Sequence, residues 1–410
     1  ILNSMSKKAN SFQILQQSLK LPCGVILKNR LAKSAMSDSL GDGEGNPTEA
    51  QIRLYEKWAE GGVSLSFIGE VQCDYRFPEK PGNLVFNKNS NFGLLSQFSK
   101  RATVDGAHIW PQIGHAGALS HLPISHPTGP SAINIDGLNC AEMSVHEIKA
   151  LPGMYAQSAL LAKNAGFSGV HIHAGHGFLL SQFISPLFNN RKDDYGGPIE
   201  ARAKIVIEII DEVRSAVGTL FPIGIRINSS DQLDGGLTES EALKFIRLLD
   251  KTSVDLIDIS GGTYFPGAKA SSDSSANGVY FLNFAQSARK ITDIPLMVTG
   301  GFKTRKQAIE ALEAGATDII GLGRAMILNP QLPKAWFSGT GRDPEFPKFD
   351  SLIPGGVTAW YTMRMTAIAE EQEHELSLDL KSAIHEYEKR DSKKCISWIK
   401  KFINVAENSA

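Results

Sequence analysis

The sequence predicts an α/β protein built as a single (β/α)8 TIM barrel with an N-terminal hairpin and a C-terminal helical extension. Three observations carry this expectation. From Leu31 onward, short β-rich runs alternate with amphipathic helical stretches, as a parallel sheet with crossover helices requires. The alternation repeats eight times, and eight strand–helix units close most economically as a barrel. A doubly wound open sheet would carry a GxGxxG turn after its first strand. The only early glycine cluster, Gly41-Asp42-Gly43-Glu44-Gly45, lacks that spacing.

Ahead of the barrel, Leu19–Lys28 sets a Pro22-Cys23-Gly24 turn between short apolar runs, which reads as a hairpin closing the barrel's N-terminal end. The expected strands are Leu31–Ser37, Leu65–Val71, His108–Ile113, Val170–His173, Pro222–Asn228, Leu256–Ser260, Pro295–Thr299 and Asp318–Gly321. Helical patterns separate them: Glu49–Glu60, Val145–Ala165 opened by Ser144 as N-cap, Ile199–Val217, Glu239–Lys251 capped by Thr238, and Thr304–Ala314. Pro344–Gly356 is rich in proline and glycine, and Thr366–Asn404 is strongly helical. The tail reads as a helix packed on the barrel or on a neighbouring subunit, so a homo-oligomer is an expectation. The division is residues 1–30 for the opening segment, 31–340 for the barrel and 341–410 for the extension.

Composition narrows the function classes. The 410 residues are 42% hydrophobic and 21% charged, with no apolar run near the roughly 20 residues a membrane-spanning helix needs. Forty-two basic side chains against 43 acidic ones give a net charge of −1, and neither sign forms a block. No nucleic acid or membrane partner is expected. Cys23, Cys73, Cys140 and Cys395 lie far apart and form no CxxC pair, which argues against a structural zinc or a cysteine-ligated cluster and fits a reducing compartment. The opening ILNSMSKKAN has no hydrophobic signal core, so cytoplasmic residence is expected, with Met5 as the native start.

In a barrel, the strand C-termini form the site. The fourth strand delivers His173 and, past Ala174-Gly175, His176; His171 shares the His173 face because side chains alternate along a strand. The first strand delivers Ser37, the third Gln112, the fifth Arg226 and the sixth Ser260-Gly261-Gly262. Gly300-Gly301 after the seventh strand and Gly323-Arg324 after the eighth would free backbone N–H groups for a phosphate, with Arg324 adding charge-assisted bonds. Arg226 needs an anionic or electron-rich partner, and an internal carboxylate would serve equally well. Gln112 offers a donor and an acceptor to the imide-like edge of a flavin ring, and Ser37 a hydroxyl. A phosphate clamp, an amide, an arginine and a hydroxyl around one cavity describe a site for FMN; no metal is called for.

The sequence at this point resembles the old yellow enzyme family of FMN-dependent NAD(P)H:flavin oxidoreductases. The likeness covers roughly Leu21 to Pro330 and rests on Asn29-Arg30-Leu31 through Ala35-Met36-Ser37, Trp58-Ala59-Glu60-Gly61-Gly62, Gln112-Ile113-Gly114-His115-Ala116-Gly117 and Gly129-Pro130-Ser131-Ala132, with Arg226, Gly300-Gly301 and Gly323-Arg324. It implies a noncovalent FMN, reduced by NADPH or NADH and reoxidised by an electron-poor small molecule such as an α,β-unsaturated carbonyl compound. It further implies that His173 and His176 hold the acceptor's carbonyl oxygen, Arg226 the N1–C2 carbonyl edge of FMN, Gln112 the pyrimidine edge and Ser37 the C4 carbonyl.

Two positions depart from the family. Ser37 stands where threonine or cysteine is common, and Phe178 where many members carry a tyrosine that protonates the substrate carbon. Tyr264, after the sixth strand, is one substitute donor. Quinones, nitro compounds and dioxygen need no carbon acid and so gain weight as acceptors, and alkene reduction is expected to be slow relative to flavin reduction. Competing readings are a metal-dependent TIM-barrel hydrolase using the His171-x-His173 pair, a uridine-modifying flavin barrel, and a flavin-binding protein with reduced catalysis. The first would have HxH on its first strand, the second a basic docking surface and a cysteine acid, and the third no use for the imidazole pair.

Overall fold

The computed structural model describes residues 13–266, 268, 278–339, 341–349, 353–373 and 377–404. Eight parallel strands line the interior: β1 (Leu31–Lys33), β2 (Leu65–Gln72), β3 (His108–Gly114), β4 (Val170–Ala174), β5 (Ile223–Asn228), β6 (Leu256–Ser260), β7 (Leu296–Thr299) and β8 (Ile319–Leu322). The sheet runs in chain order and closes on itself, because β1 pairs with both β2 and β8. Leu19–Lys20 and Ile26–Leu27 form the antiparallel hairpin ahead of it, and the hairpin's Leu21 and Leu27 pack with Leu65, Trp110 and Met297 across one end.

The helices around the barrel take their positions from amphipathic spacing and, at Thr48, Asn91, Ser144, Thr238 and Thr304, from side-chain N-caps. They are α1 (Glu49–Glu60), α2 (Phe92–Ala102), α3 (Val145–Asn164), α4 (Ile199–Val217), α5 (Glu239–Leu249), α6 (Leu282–Arg289), α7 (Arg305–Glu313) and α8 (Arg324–Leu328). Ser144 and Thr304 each form a reciprocal capping box, with Glu147 and Gln307 respectively. In α4, Ile205, Val206, Ile209, Ile210 and Val213 are buried at three- and four-residue intervals and form the face turned to the core. Such a face gains roughly 25 cal/mol per Å² of apolar surface removed from water.

β1 is shorter than the sequence predicts. Beyond Lys33 the ladder survives as one Ser34 N–H bond to the Leu322 carbonyl and an isolated bridge between Ser37 and Gly69. The chain peels off the barrel there and carries Ser37 above the strand ends. Pro222 stands outside β5 as a strand opener, since it has no N–H to give and contributes only its carbonyl to the Val170 N–H.

Two additions surround the mouth. Between β3 and α3 lies a small sheet of Thr128–Gly129, Ile133–Ile135 and Leu138–Glu142. After the barrel come α9 (Gly356–Ala369), packed on α1, and α10 (Leu380–Trp398), packed on α9. Among the described residues no helix is long and apolar enough to cross a membrane.

Candidate active site

The strand ends open into a cavity of about 910 Å³, a size suited to a cofactor with a small substrate. Seven of the residues expected there line it: Ser37, His176, Arg226, Gly300, Gly301, Gly323 and Arg324. His173 and Gln112 lie beneath its wall, almost wholly buried. Each keeps one polar atom without a partner, Nε2 of His173 and Oε1 of Gln112. Buried polar atoms rarely go unpaired, so both are suited to a bound group.

Register explains why these side chains meet. Parallel pairing sets His173 beside Arg226 and Arg226 beside Asp258, one level along three consecutive strands. One level lower, His171 pairs with Gln112. Gln112 Nε2 lies 2.9 Å from His171 Nδ1, and the His171 ring packs 4.3 Å from Phe67 with no exposure at all. His171 is a core residue. The amide of Gln112 is therefore shared between that imidazole and its own free oxygen.

Arg226 finds the internal carboxylate that sequence reasoning left open. Its Nε donates to Asp258 Oδ2 at 2.7 Å, and Thr299 Oγ1 donates to Asp258 Oδ1 at 2.8 Å. Asp258 has no exposure and Arg226 2%, so the pair offset each other's desolvation while the guanidinium still edges the cavity.

The imidazole pair is held from both sides. His173 Nδ1 meets Glu70 Oε2 at 3.0 Å, and His176 Nε2 lies 2.8 Å from Ser260 Oγ. His176 has a left-handed backbone, φ 60°, and its main-chain N–H donates to Asn228 Oδ1 at 2.9 Å, which secures that turn. Burial pushes both imidazoles well below their ordinary value, with further lowering by Arg226, so they are neutral at pH 7. Burial also raises the Glu70 carboxyl to about 8 against the pull of Arg226.

Phe178 packs 4.9 Å from His173, and Tyr264 covers it at 5.8 Å while also packing 5.7 Å from His176. At the other end of the cavity, Gly301 has φ 82°, and a Cβ there would fall 2.2 Å from the Gly278 carbonyl oxygen. Only glycine fits that turn. The Arg324 guanidinium stands 5.5 Å over the Tyr361 ring of α9.

Several contributors were not visible in the sequence. Glu70 and Glu79 enter from β2 and its following loop, and Tyr387 from the extension; Tyr361, in the segment Trp360–Arg364 that the sequence leaves between reaching a neighbouring active site and packing, lines the cavity of its own chain. Glu70 belongs to a strand end that a reading of all eight ends would have included. The extension was expected to be helical from Thr366 to Asn404, whereas α9 already begins at Gly356 and α10 only at Leu380, and the direction the helices face was not legible. Among the described residues no three or more His, Cys, Asp or Glu side chains converge as a metal site would require.

The sequence pattern of the NADH:flavin oxidoreductase / NADH oxidase family matches residues 19–340. The chain belongs to this family. It is 33% identical over 349 residues to the NADH-dependent flavin oxidoreductase iliE of Hypocrea jecorina, spanning 77% of this chain and 87% of that protein. It is 31% identical over 308 residues to the NADPH dehydrogenase of Bacillus subtilis, spanning 74% of this chain and 88% of that protein. Among solved structures it is similar to a 2-naphthoyl-CoA reductase, with 26% identity and a TM-score of 0.75 over 80% of this chain but 52% of that one. Morphinone reductase, at 22% identity and a TM-score of 0.69 over 81% of this chain and 93% of that one, shares the fold. The flavin oxidoreductase barrel is thus an FMN-dependent enzyme of old yellow enzyme type that uses a nicotinamide nucleotide as reductant.

Proposed function

We propose that the enzyme passes reducing equivalents to an electron-poor small molecule, an α,β-unsaturated carbonyl compound, a quinone or a nitro compound. The observation that carries this reading is the neutral imidazole pair at the mouth of β4, with His173 Nε2 unpartnered beside Arg226. Neutral N–H groups stabilise charge that develops on an acceptor oxygen without demanding a counter-ion in the resting site.

Bound FMN, once reduced, supplies the hydride. On this reading Gly300, Gly301, Gly323 and Arg324 hold its phosphate at the β7 and β8 ends, and Tyr361 backs Arg324. Arg226, kept in place by Asp258, stabilises negative charge on the ring's N1–C2 carbonyl edge. The free oxygen of Gln112 accepts from the pyrimidine edge, and Ser37 lies at the C4 carbonyl. His173 and His176 orient the acceptor and polarise its oxygen. Residues 31–340 form the cofactor-binding unit, and the extension of 341–410 contributes Tyr361 and Tyr387 to its wall.

Phe178 itself gives no proton, so an alkene acceptor must draw its second hydrogen from another group, whereas a quinone or nitro compound needs no carbon acid. The test is the visible spectrum of the purified protein before and after anaerobic NADH or NADPH, followed by benzoquinone. Bleaching and then recovery support the reading. A colourless protein that takes up no FMN removes it.

A further inference from the structure

A reduced alkene gains hydrogen at two carbons, and Phe178 has no exchangeable proton for the second. The cavity nevertheless holds two carboxyls, the buried Glu70 and the half-buried Glu79. Glu70 is committed to His173. Glu79 is not. Its Oε2 accepts from Ser37 Oγ at 3.0 Å and from Asn83 Nδ2 at 3.2 Å. Asn83 Oδ1 in turn accepts from the main-chain N–H groups of Glu79 and Lys80 and from Gln72 Nε2, so the loop that carries the carboxyl is clamped to β2.

Position follows from the strand ends. Ser37 bridges to Gly69, the residue before Glu70, so Glu79 stands one strand end away from the Glu70 and His173 couple. Tyr264, packed on His176 and Phe178, feels the charges of Glu79 and Glu70 alike. Glu79, His176, Phe178 and Tyr264 all line one cavity.

We propose that Glu79 is the proton donor to the α-carbon of alkene acceptors, in the role that Phe178 cannot fill. This rests on the acceptor reading above. Hydride from the reduced flavin forms the C–H bond at the β-carbon, and the alkene's π electrons move onto the carbonyl oxygen held by His173 and His176. The Glu79 O–H bond then breaks and its proton joins the α-carbon as the enolate collapses to the ketone. The acceptor is reduced by two electrons, the flavin is oxidised by two, and the Glu79 carboxylate recovers its proton from water.

The carboxyl is suited to that work. Burial pushes it up to about 7; Lys80 opposes the rise, Glu70 adds to it, and the bonds from Asn83 and Ser37 oppose it. Tyr264 and Tyr387 complete the titratable groups that sense its charge. A general acid near the working pH is both protonated and willing to give the proton up.

The test compares reoxidation of the NADH-reduced holoenzyme by 2-cyclohexenone and by benzoquinone, which needs no proton on carbon. In Glu79→Gln the enone-to-quinone rate ratio is expected to fall by about 100-fold, the lower end of general-acid contributions. Adding Phe178→Tyr to that variant is expected to restore most of the ratio. In cofactor-free protein, the infrared C=O band of a protonated carboxyl, taken as wild type minus Glu79→Gln, is expected to titrate near pH 7. A wild type that reoxidises with benzoquinone but never with the enone overturns the proposal. So does a Glu79→Gln ratio within about twofold of wild type, a loss that appears in Tyr264→Phe instead, or a band absent near neutral pH. Failure of NADH to bleach the flavin removes the acceptor reading itself, and this role with it.

Discussion

His173 turns Nδ1 toward Glu70 Oε2 at 3.0 Å and leaves Nε2 without a partner. Two arrangements satisfy that contact. A protonated Glu70 donates to a bare Nδ1, which places the imidazole hydrogen on Nε2; an ionised Glu70 accepts from Nδ1–H and strips Nε2 of its hydrogen. Only the first leaves Nε2 able to donate to an acceptor oxygen.

Benzoquinone reduction is therefore expected to lose efficiency as pH rises through about 8, where the Glu70 carboxyl ionises. In Glu70→Gln the side-chain amide donates to Nδ1 at every pH, and the alkaline limb should vanish. A pH profile of quinone-driven reoxidation in both proteins checks this, and a limb that persists in the variant rejects it.

The same carboxyl makes stability depend on pH. Its folded-state value of about 8 lies above the ordinary 4.5, so the folded chain binds the proton more tightly than the unfolded chain does. That contribution is complete below about 4.5 and is lost as pH climbs through about 8. Thermal melts across this window should show wild type losing ground to Glu70→Gln as pH rises. A wild type that instead gains on the variant as pH rises contradicts the burial assigned to Glu70.

His173→Ala is expected to lower kcat/KM for benzoquinone by about 100-fold, the scale of removing one donor to a developing oxyanion. Flavin reduction by NADH should change far less, because the proposed role of the imidazole is at the acceptor. Stopped-flow measurement of the two half-reactions separates them. Equal losses in both would mean that His173 supports the cofactor rather than the acceptor.

Asp258→Ala leaves a buried guanidinium without its carboxylate. The expected loss is about 3 kcal/mol of stability in the cofactor-free protein, read from urea denaturation. FMN, with its own electron-rich edge, should recover part of that loss on binding. A variant as stable as wild type without FMN would show that Arg226 escapes to water.

Tyr361→Ala removes the ring beneath Arg324 and is expected to weaken FMN binding by about fivefold, near 1 kcal/mol. Fluorescence titration of the cofactor-free protein with FMN measures it directly. Unchanged affinity would assign Tyr361 to packing alone.

The barrel was legible because its signals are periodic and repeated. Eight hydrophobic runs with capped helices between them leave few alternatives, and the parallel register then brings His173, Arg226 and Asp258 to one level without further instruction. The departures have local causes. β1 stops at Lys33 because the chain must lift Ser37 to the rim. Asp258 was invisible as a partner because its inward direction depends on a register that periodicity alone does not number. Glu79 sits in a loop, where no repeat marks a residue as inward, and one contact from the sequence-distant Ser37 and another from Asn83 within the loop fix it. The small sheet of residues 128–142 escaped because its strands are two to five residues long.

The cavity is assembled from two sources that need not change together. Its strand-end floor, with Gly300, Gly301, Gly323 and Arg324, lies within residues 19–340, the span that matches the family, while Tyr361 and Tyr387 come from beyond it. A lineage that varied the helix carrying Tyr387 would remodel the chamber's far wall while Tyr361 stayed in place against Arg324, and new acceptors could be explored at little cost to the cofactor. For protein engineering, α10 is accordingly the place to build a library, with the barrel and Tyr361 left alone.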